Sequence, residues 1–150
     1  MEENMSLIEK NDFQILRGGV PGNYEGCHDD ALELNDGVTA VRGEFVSLDS
    51  GTGKYDKTTL ADGAAPLQAF YIVLEGNSGN DDFSGEFTGR VAGLKGRYKV
   101  QTKKFDATGM ALGAVVSVEG GEFKINGAKP AVGEVVGFDA VAGIIVVDMI

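Results

Sequence analysis

The chain has 150 residues with 13 basic and 23 acidic side chains, which gives a formal net charge of −10. A chain of this length buries about 68–70% of its unfolded surface on folding, so it suits one domain or two small related halves. The acidic balance argues against direct binding to nucleic acid, because a phosphate backbone is held by clustered Lys and Arg side chains.

The N-terminal segment is acidic and dotted with apolar residues. It lacks the basic start and the apolar stretch of a signal peptide, so we expect a chain that is not exported by a cleaved signal. A glycine-rich stretch, RGGVPGNYEG, begins at Arg17. This pattern predicts an arm over residues 1–22 that docks on a partner or swaps a strand, with an ordinary first strand as the alternative. The apolar residues of the arm are Leu7, Ile8, Phe13, Ile15 and Leu16.

A β domain is predicted over residues 23–150, and the single cysteine and single histidine lie near its start as Cys27 and His28. Adjacent residues of an extended chain point to opposite sides, so the imidazole does not reach the thiol. One cysteine excludes an intrachain disulfide and a multi-cysteine zinc site, and it favours assembly in a reducing compartment. The chain has no G-x-S-x-G motif for a Ser-His-Asp triad. We therefore expect no enzyme activity, no cofactor and no metal site.

Short apolar runs separated by glycine-rich turns fill most of the chain, which has 23 glycines and 3 prolines. The runs are rich in Val, Phe, Tyr, Thr and Ile, which favour strands, and the Asn, Asp and Gly residues between them favour tight hairpins. The spacing predicts a mainly β fold, a small antiparallel β-barrel or β-sandwich with little helix. Strands are predicted at 38–48, 67–74, 97–105, 114–118 and 144–150, and short helices at 28–35 and 56–63.

Residues 49–57, DSGTGKYDK, contain a Gly-Thr-Gly-Lys run that resembles part of a phosphate-binding loop. A P-loop requires glycine where Leu48 stands and Ser or Thr where Tyr55 stands. A dinucleotide-binding fingerprint starting at Gly51 requires glycine where Asp56 stands. The spacing therefore predicts a polar hairpin tip.

Two other polar patterns in the sequence resemble binding or catalytic sites. Residues 80–85, NDDFSG, resemble the start of a calcium loop, but the twelfth position is Val91 rather than a bidentate Glu, so a solvated loop tip is predicted. The 23 acidic residues also leave carboxylate pairs for glycoside hydrolysis open. The chain has no Trp and only 8% aromatic residues, which leaves few platforms for stacking a sugar.

The chain resembles itself across its two halves. GEFVSLDSG begins at Gly43 and GAVVSVEGG begins at Gly113, and 113 minus 43 gives an offset of 70 residues. With the flanking residues, 38–76 resembles 110–143 as strand, acidic-Gly turn, strand, Ala-x-Pro loop and long strand. An internal duplication and a chance likeness between simple hairpins both explain the pattern.

The chain ends on the apolar run AGIIVVDMI, which is too short for a membrane span and is interrupted by Asp148. This last strand must be covered by the core or by a neighbouring chain. Met149 and Ile150 therefore join the apolar residues of the arm as predicted partner-binding residues.

Residues 109–150 resemble the small decoration, or cement, proteins of tailed-bacteriophage heads. Those proteins end with a G-x-x-V strand, a Gly turn, an A-x-x-G-x-x-V-G loop and strand, and a closing G-x-[IL]-x-V strand. The matching positions are Gly113, Val116, Gly121, Ala131, Gly133, Val136, Gly137, Gly143, Ile145 and Val147.

This resemblance implies a β-rich, non-enzymatic protein on the outer capsid surface of the virion, made in the cytoplasm of the host bacterium. The implied partner is the major capsid protein, whose neighbouring subunits it bridges and stabilises. The resemblance also implies self-association, with a trimer favoured, and neither nucleic acid nor a membrane as a partner. The alternatives are another phage structural component, such as a head-fibre base or tail protein, and a small β-barrel carbohydrate-binding module or hydrolase.

Overall fold

The structure, a computed structural model, describes residues 13–16, 25–63, 69–76 and 86–149. In these residues it contains eleven strands and no helix, which confirms the predicted mainly β fold. The strands are β1 (Phe13–Leu16), β2 (Glu25–Glu33), β3 (Phe45–Asp49), β4 (Lys54–Lys57), β5 (Phe70–Gly76), β6 (Arg90–Arg97), β7 (Lys99–Thr102), β8 (Val115–Glu119), β9 (Glu122–Lys124), β10 (Gly133–Asp139) and β11 (Ile144–Met149).

The strands form two antiparallel sheets, one of which curls into a half-barrel. The N-terminal sheet has the order β2-β6-β5-β3-β4, and the C-terminal sheet has the order β1-β7-β11-β10-β8-β9. Strands that follow one another in the chain, such as β3 and β4 or β8 and β9, pair as hairpins. This is the architecture that short strands with Gly-rich turns favour.

The helix predicted over residues 28–35 is wrong, because this segment continues β2. Leu32 and Leu34 are buried while Ala31 and Glu33 are exposed, and this alternation has the period of a strand. A β-bulge between Asp29 and Leu32 shifts the register and hides the alternation in the sequence.

The helix predicted over residues 56–63 is also wrong. The segment begins as the end of β4 and continues without helix. Thr58 and Leu60 are buried, whereas Thr59 and Ala61 are exposed, so this segment too alternates like an extended chain.

The N-terminal sheet is buried on both of its faces. One face contributes Phe45, Ile72 and Leu94 to a core shared with the C-terminal sheet, and the Phe45 and Phe123 ring centroids lie 5.0 Å apart across it. The other face carries a second apolar cluster, which Phe87 closes by pairing with Ala40. The buried residues of that second cluster are Leu32, Leu34, Ala40, Val46, Val73, Phe87 and Val91.

The two sheets repeat one strand order. If the strands of the first half are counted from β2 and those of the second half from β7, both sheets have the order first, fifth, fourth, second, third. These orders are β2-β6-β5-β3-β4 and β7-β11-β10-β8-β9. The paired row Phe45, Ile72 and Leu94 occupies the position of the row Val115, Glu134 and Asp148. The internal sequence similarity thus falls on strands in equivalent positions, and a duplication as its origin stays a prediction.

A bulge and a turn also recur at equivalent places. β5 is irregular between Val73 and Glu75, and β10 is irregular between Val135 and Gly137. Before each hairpin, a glycine with positive φ donates its N–H to the strand beside it. Gly43 (φ 94°) bonds Val73 at 2.9 Å, and Gly113 (φ 82°) bonds Val135 at 2.8 Å. Such φ values favour glycine, which accounts for its recurrence.

The segment that follows β4 ties the two sheets together. The N–H of Leu60 donates to the carbonyl of Val118 at 3.1 Å, and the N–H of Gly121 donates to the carbonyl of Thr58 at 2.8 Å. The ammonium of Lys129, whose side chain is 11% exposed, donates to the carbonyl of Leu60 at 2.7 Å. These bonds fix one half of the chain against the other.

Candidate binding surfaces

The hairpin tip between β3 and β4 satisfies its own backbone donors. The N–H groups of Thr52 and Gly53 donate to the Asp49 carbonyl at 3.2 and 2.8 Å. The N–H of Gly51 donates to the Asp49 carboxylate at 2.9 Å, and the N–H of Lys54 donates to the Thr52 hydroxyl at 3.1 Å. A phosphate loop must aim such donors at its ligand, so this geometry supports the prediction of a polar hairpin tip.

An open groove of about 390 Å³ lies beside this tip, and its only basic lining group is already paired with acids. The Lys54 ammonium lies 3.3 Å from the Glu33 carboxylate and 3.5 Å from that of Asp36. The hydrogen bond to Glu33, followed by the charge of Asp36, raises the pKa of Lys54. The groove therefore offers a neutralised cation rather than an anion site. Its lining residues are Asn35, Asp36, Val38, Thr52, Lys54 and Asp56.

The second part of the predicted arm forms strand β1 at the edge of the C-terminal sheet. β1 pairs antiparallel with β7, with Phe13 opposite Thr102 and Ile15 opposite Val100. Phe13 and Ile15 are partly buried and pack against the shared core of the same chain. Leu16 lies in β1 opposite Lys99. The structure thus places this segment as an edge strand, and its contact with a partner stays a prediction.

Of the other predicted partner-binding residues, one lies in the core and three lie outside the described residues. Met149 is buried in the shared core, and its N–H donates to the Tyr98 carbonyl at 2.9 Å. Leu7, Ile8 and Ile150 lie outside the described residues. The structure therefore brings Phe13, Ile15 and Met149 to one core.

Within the described residues, the structure does not assemble Cys27 and His28 into a catalytic or metal site. Cys27 and His28 are consecutive residues of β2, and the calcium-like loop at 80–85 lies outside the described residues. Among the residues that the structure describes, no group of three His, Cys, Asp or Glu side chains is arranged to hold a metal ion. None of the described segments forms a helix long and apolar enough to cross a membrane.

The outer face of the C-terminal sheet exposes apolar side chains at the start of β8 and at the bulge of β10. We use this name for the face that points away from the shared core, and it carries Val115, Glu134, Val136, Val146 and Asp148. Val115 is 56% exposed and Val136 is 44% exposed, whereas their neighbours Val116 and Val135 are buried. Successive strand residues point to opposite faces, so each valine pair places one member in the core and the other outside.

Two carboxylates lie side by side next to these valines. Glu134 is opposite Val115 on one side and opposite Asp148 on the other, and Asp148 in turn is opposite Lys99. Like charges directly opposite one another on a sheet disfavour each other. The face thus carries carboxylates on the two central strands β10 and β11, with exposed valines next to them.

Sequence reasoning missed this outer face, although the chain carried a signal for it. The strands contain the valine pairs 115–116, 135–136 and 146–147. In a strand with one buried face, two consecutive valines cannot both enter the core. The signal was therefore the excess of apolar residues over what one face of the sheet can bury.

Comparison with known proteins gives this chain no relative. No protein-family description, no curated protein and no solved structure matches it.

Proposed function

We propose that this protein is a non-enzymatic decoration protein of a tailed-phage head, which binds the outer capsid surface, bridges neighbouring capsid subunits and stabilises the virion. One observation carries the proposal. Of the five exposed large hydrophobic residues in the described chain, four lie within residues 109–150, the segment that resembles this family. They are Leu112, Val115, Val136 and Val141.

The fold explains most of the resemblance without any partner. Gly113, Gly121 and Gly143 have positive φ, and a Cβ at Gly133 would lie 2.5 Å from the Val147 side chain. These glycines are therefore needed to build turns and closely paired strands. The buried valines and isoleucine among the matching positions fill the core.

Val136 is the exposed residue among the Val and Ile matching positions, and the fold does not explain it. It is 44% exposed, whereas Val116, Ile145 and Val147 are buried. An exposed valine in mid-strand contributes little to the core of its own chain, and contiguous exposed apolar side chains mark interaction surfaces. A partner that covers Val136 and Val115 accounts for both residues.

A lattice of capsid subunits suits an interaction surface of this modest size. Each copy needs only a small apolar contact, because contacts made by one molecule to two neighbouring subunits reinforce each other through effective concentration. A protein that binds the assembled lattice and not its separated subunits stabilises the assembly by mass action.

The test is to mix the purified protein with expanded, undecorated capsids of its own phage and to sediment them. We expect the protein to pellet with the capsids up to a fixed ratio and to raise the temperature at which they disrupt. An unrelated acidic β protein of similar size is the control. The proposal is refuted if the protein stays in the supernatant with the control.

A further inference from the structure

We propose that the outer face of the C-terminal sheet is the contact surface of this protein, and that it fits a protein partner that presents Lys or Arg side chains next to apolar side chains. The identification of that partner as a capsid subunit rests on the proposed function. The surface itself follows from the repeated strand order, the exposure of its valines and the position of its carboxylates.

The equivalent face of the N-terminal sheet shows that these positions form a packing surface. Phe45, Ile72 and Leu94 form one row of that face and are buried against the C-terminal sheet. Leu74, in the irregular part of β5, packs against the same core. The same strand order and bulge place Val115 where Phe45 stands and Val136 where Leu74 stands. The outer face therefore has the geometry of a face that packs on protein.

The charges of the outer face define its partner. Glu134 and Asp148 occupy the positions of Ile72 and Leu94, directly opposite each other. Lys99, which lies opposite Asp148, is the basic neighbour in the same row of the sheet. A partner that brings a Lys or Arg side chain to these two carboxylates relieves their repulsion, and its apolar side chains cover the neighbouring valines.

A second copy of the chain does not fit this surface. The face of the N-terminal sheet that carries Phe45 packs on the core-facing side of the C-terminal sheet, so both are occupied within one chain. The second apolar cluster, on the opposite face of the N-terminal sheet, is closed by Phe87 and Ala40. Two outer faces placed together would oppose their carboxylates, in a chain whose net charge is −10. The partner is therefore a different protein, one that carries Lys or Arg side chains at the contact.

Apolar contact is tested with Val115→Glu and Val136→Glu in the sedimentation assay with expanded capsids. Leu48→Glu is the matched control, because Leu48 is also 56% exposed but lies in β3 of the other sheet. We expect each valine variant to weaken binding about tenfold or more, since the burial of one valine side chain accounts for about that factor. The control should bind like the wild type. Equal thermal unfolding midpoints verify that all three variants fold.

Charge complementarity is tested with the double variant Glu134→Gln/Asp148→Asn at low and high salt. We expect weaker binding at low salt and a smaller loss of binding as salt rises, because the attraction to basic side chains is screened. Unchanged affinity and unchanged salt dependence would overturn the proposal that the partner presents Lys or Arg side chains to these carboxylates.

The outcomes separate this inference from the proposed function. If the wild type does not bind capsids, the proposed function fails and the capsid partner with it. If the wild type binds and both valine variants bind equally well, the capsid function stands and the outer face is overturned as its contact. Sedimentation velocity adds a further result that would overturn it, namely a wild-type oligomer that Val136→Glu dissociates.

Discussion

Lys129 joins the two halves of the chain, and its removal is the sharpest test of how they are held together. Its ammonium lies 2.7 Å from the Leu60 carbonyl, 3.1 Å from the Asp62 carboxylate and 3.8 Å from the Glu119 carboxylate. The substitution Lys129→Met keeps an apolar stem of similar length and removes the three donors. The expected loss is therefore electrostatic rather than a loss of volume.

The magnitude follows from the three partners. A hydrogen bond from a charged donor contributes about 1.5–3 kcal/mol, and the Leu60 carbonyl receives such a bond from a side chain that is 11% exposed. The pair with Asp62, whose side chain is 71% exposed, adds about 0–1 kcal/mol. Glu119 keeps Lys124 at 2.7 Å and is not left unpaired. We expect a loss of about 2–3 kcal/mol in the free energy of unfolding, which lowers Tm by about 5–10 °C in a chain of this size.

Urea unfolding followed by circular dichroism measures this loss, with Lys124→Met as the control. Lys124 pairs with the same Glu119, but its side chain is 40% exposed and it does not join the two sheets. We expect the control to cost less than about 1 kcal/mol. The double variant should cost more than the sum of the two, because Glu119 then loses both of its lysine partners and keeps only the hydrogen bond from Asn126. A Lys129→Met variant as stable as the Lys124→Met variant would refute the role of Lys129 in joining the halves.

Two further predictions concern the turns and the pH dependence. Gly43→Ala and Gly113→Ala should each lose about 1–2 kcal/mol, because both glycines have positive φ, and chemical denaturation measures the loss. The Gly43 variant should lose more, since its new Cβ would lie 3.1 Å from the Thr102 hydroxyl, whereas nothing lies within 4 Å at Gly113; equal losses would contradict this reasoning. The hydrogen bond from Lys124 lowers the pKa of Glu119, so its stabilising contribution is present above the ordinary carboxyl pKa and is lost as pH falls through the lowered value. The difference in unfolding free energy between wild type and Lys124→Met should therefore shrink from pH 7 to pH 3, and a difference that stays constant would show that the pair does not contribute.

Local features of the fold could be predicted because the residues that cause them lie close together in the chain. The Asp-Ser-Gly-Thr-Gly stretch from Asp49 specifies a tight connection between two strands by its backbone preferences alone. The hairpin β8–β9 follows in the same way from Glu119 and two glycines. The prediction of a helix at 28–35 was wrong, because the bulge after Asp29 breaks the two-residue period by which a strand is recognised.

Long-range features could not be predicted from the sequence, because they depend on residues far apart in the chain. Whether Val46 and Phe45 are both buried depends on what covers each face of the N-terminal sheet, and Phe87 covers one of them from more than 40 residues away. The bond from Lys129 to Leu60 spans 69 residues. The placement of Met149 in the core was one of two alternatives that an apolar C-terminal strand allows, and only the packing of the sheets chooses between them.

Equivalent faces of the two sheets differ in burial: the face with Phe45 is covered by the other sheet, whereas the face with Val115 is exposed. This difference supports the proposed contact with a partner. Ile72 and Leu94 are covered by the C-terminal sheet, whereas their counterparts Glu134 and Asp148 are carboxylates that water can solvate. Val115, the counterpart of Phe45, instead stays apolar beside those carboxylates and is 56% exposed. Exposed apolar residues beside carboxylates suit a protein that stays dissolved on its own and still buries apolar surface against a partner, which supports the proposed contact surface.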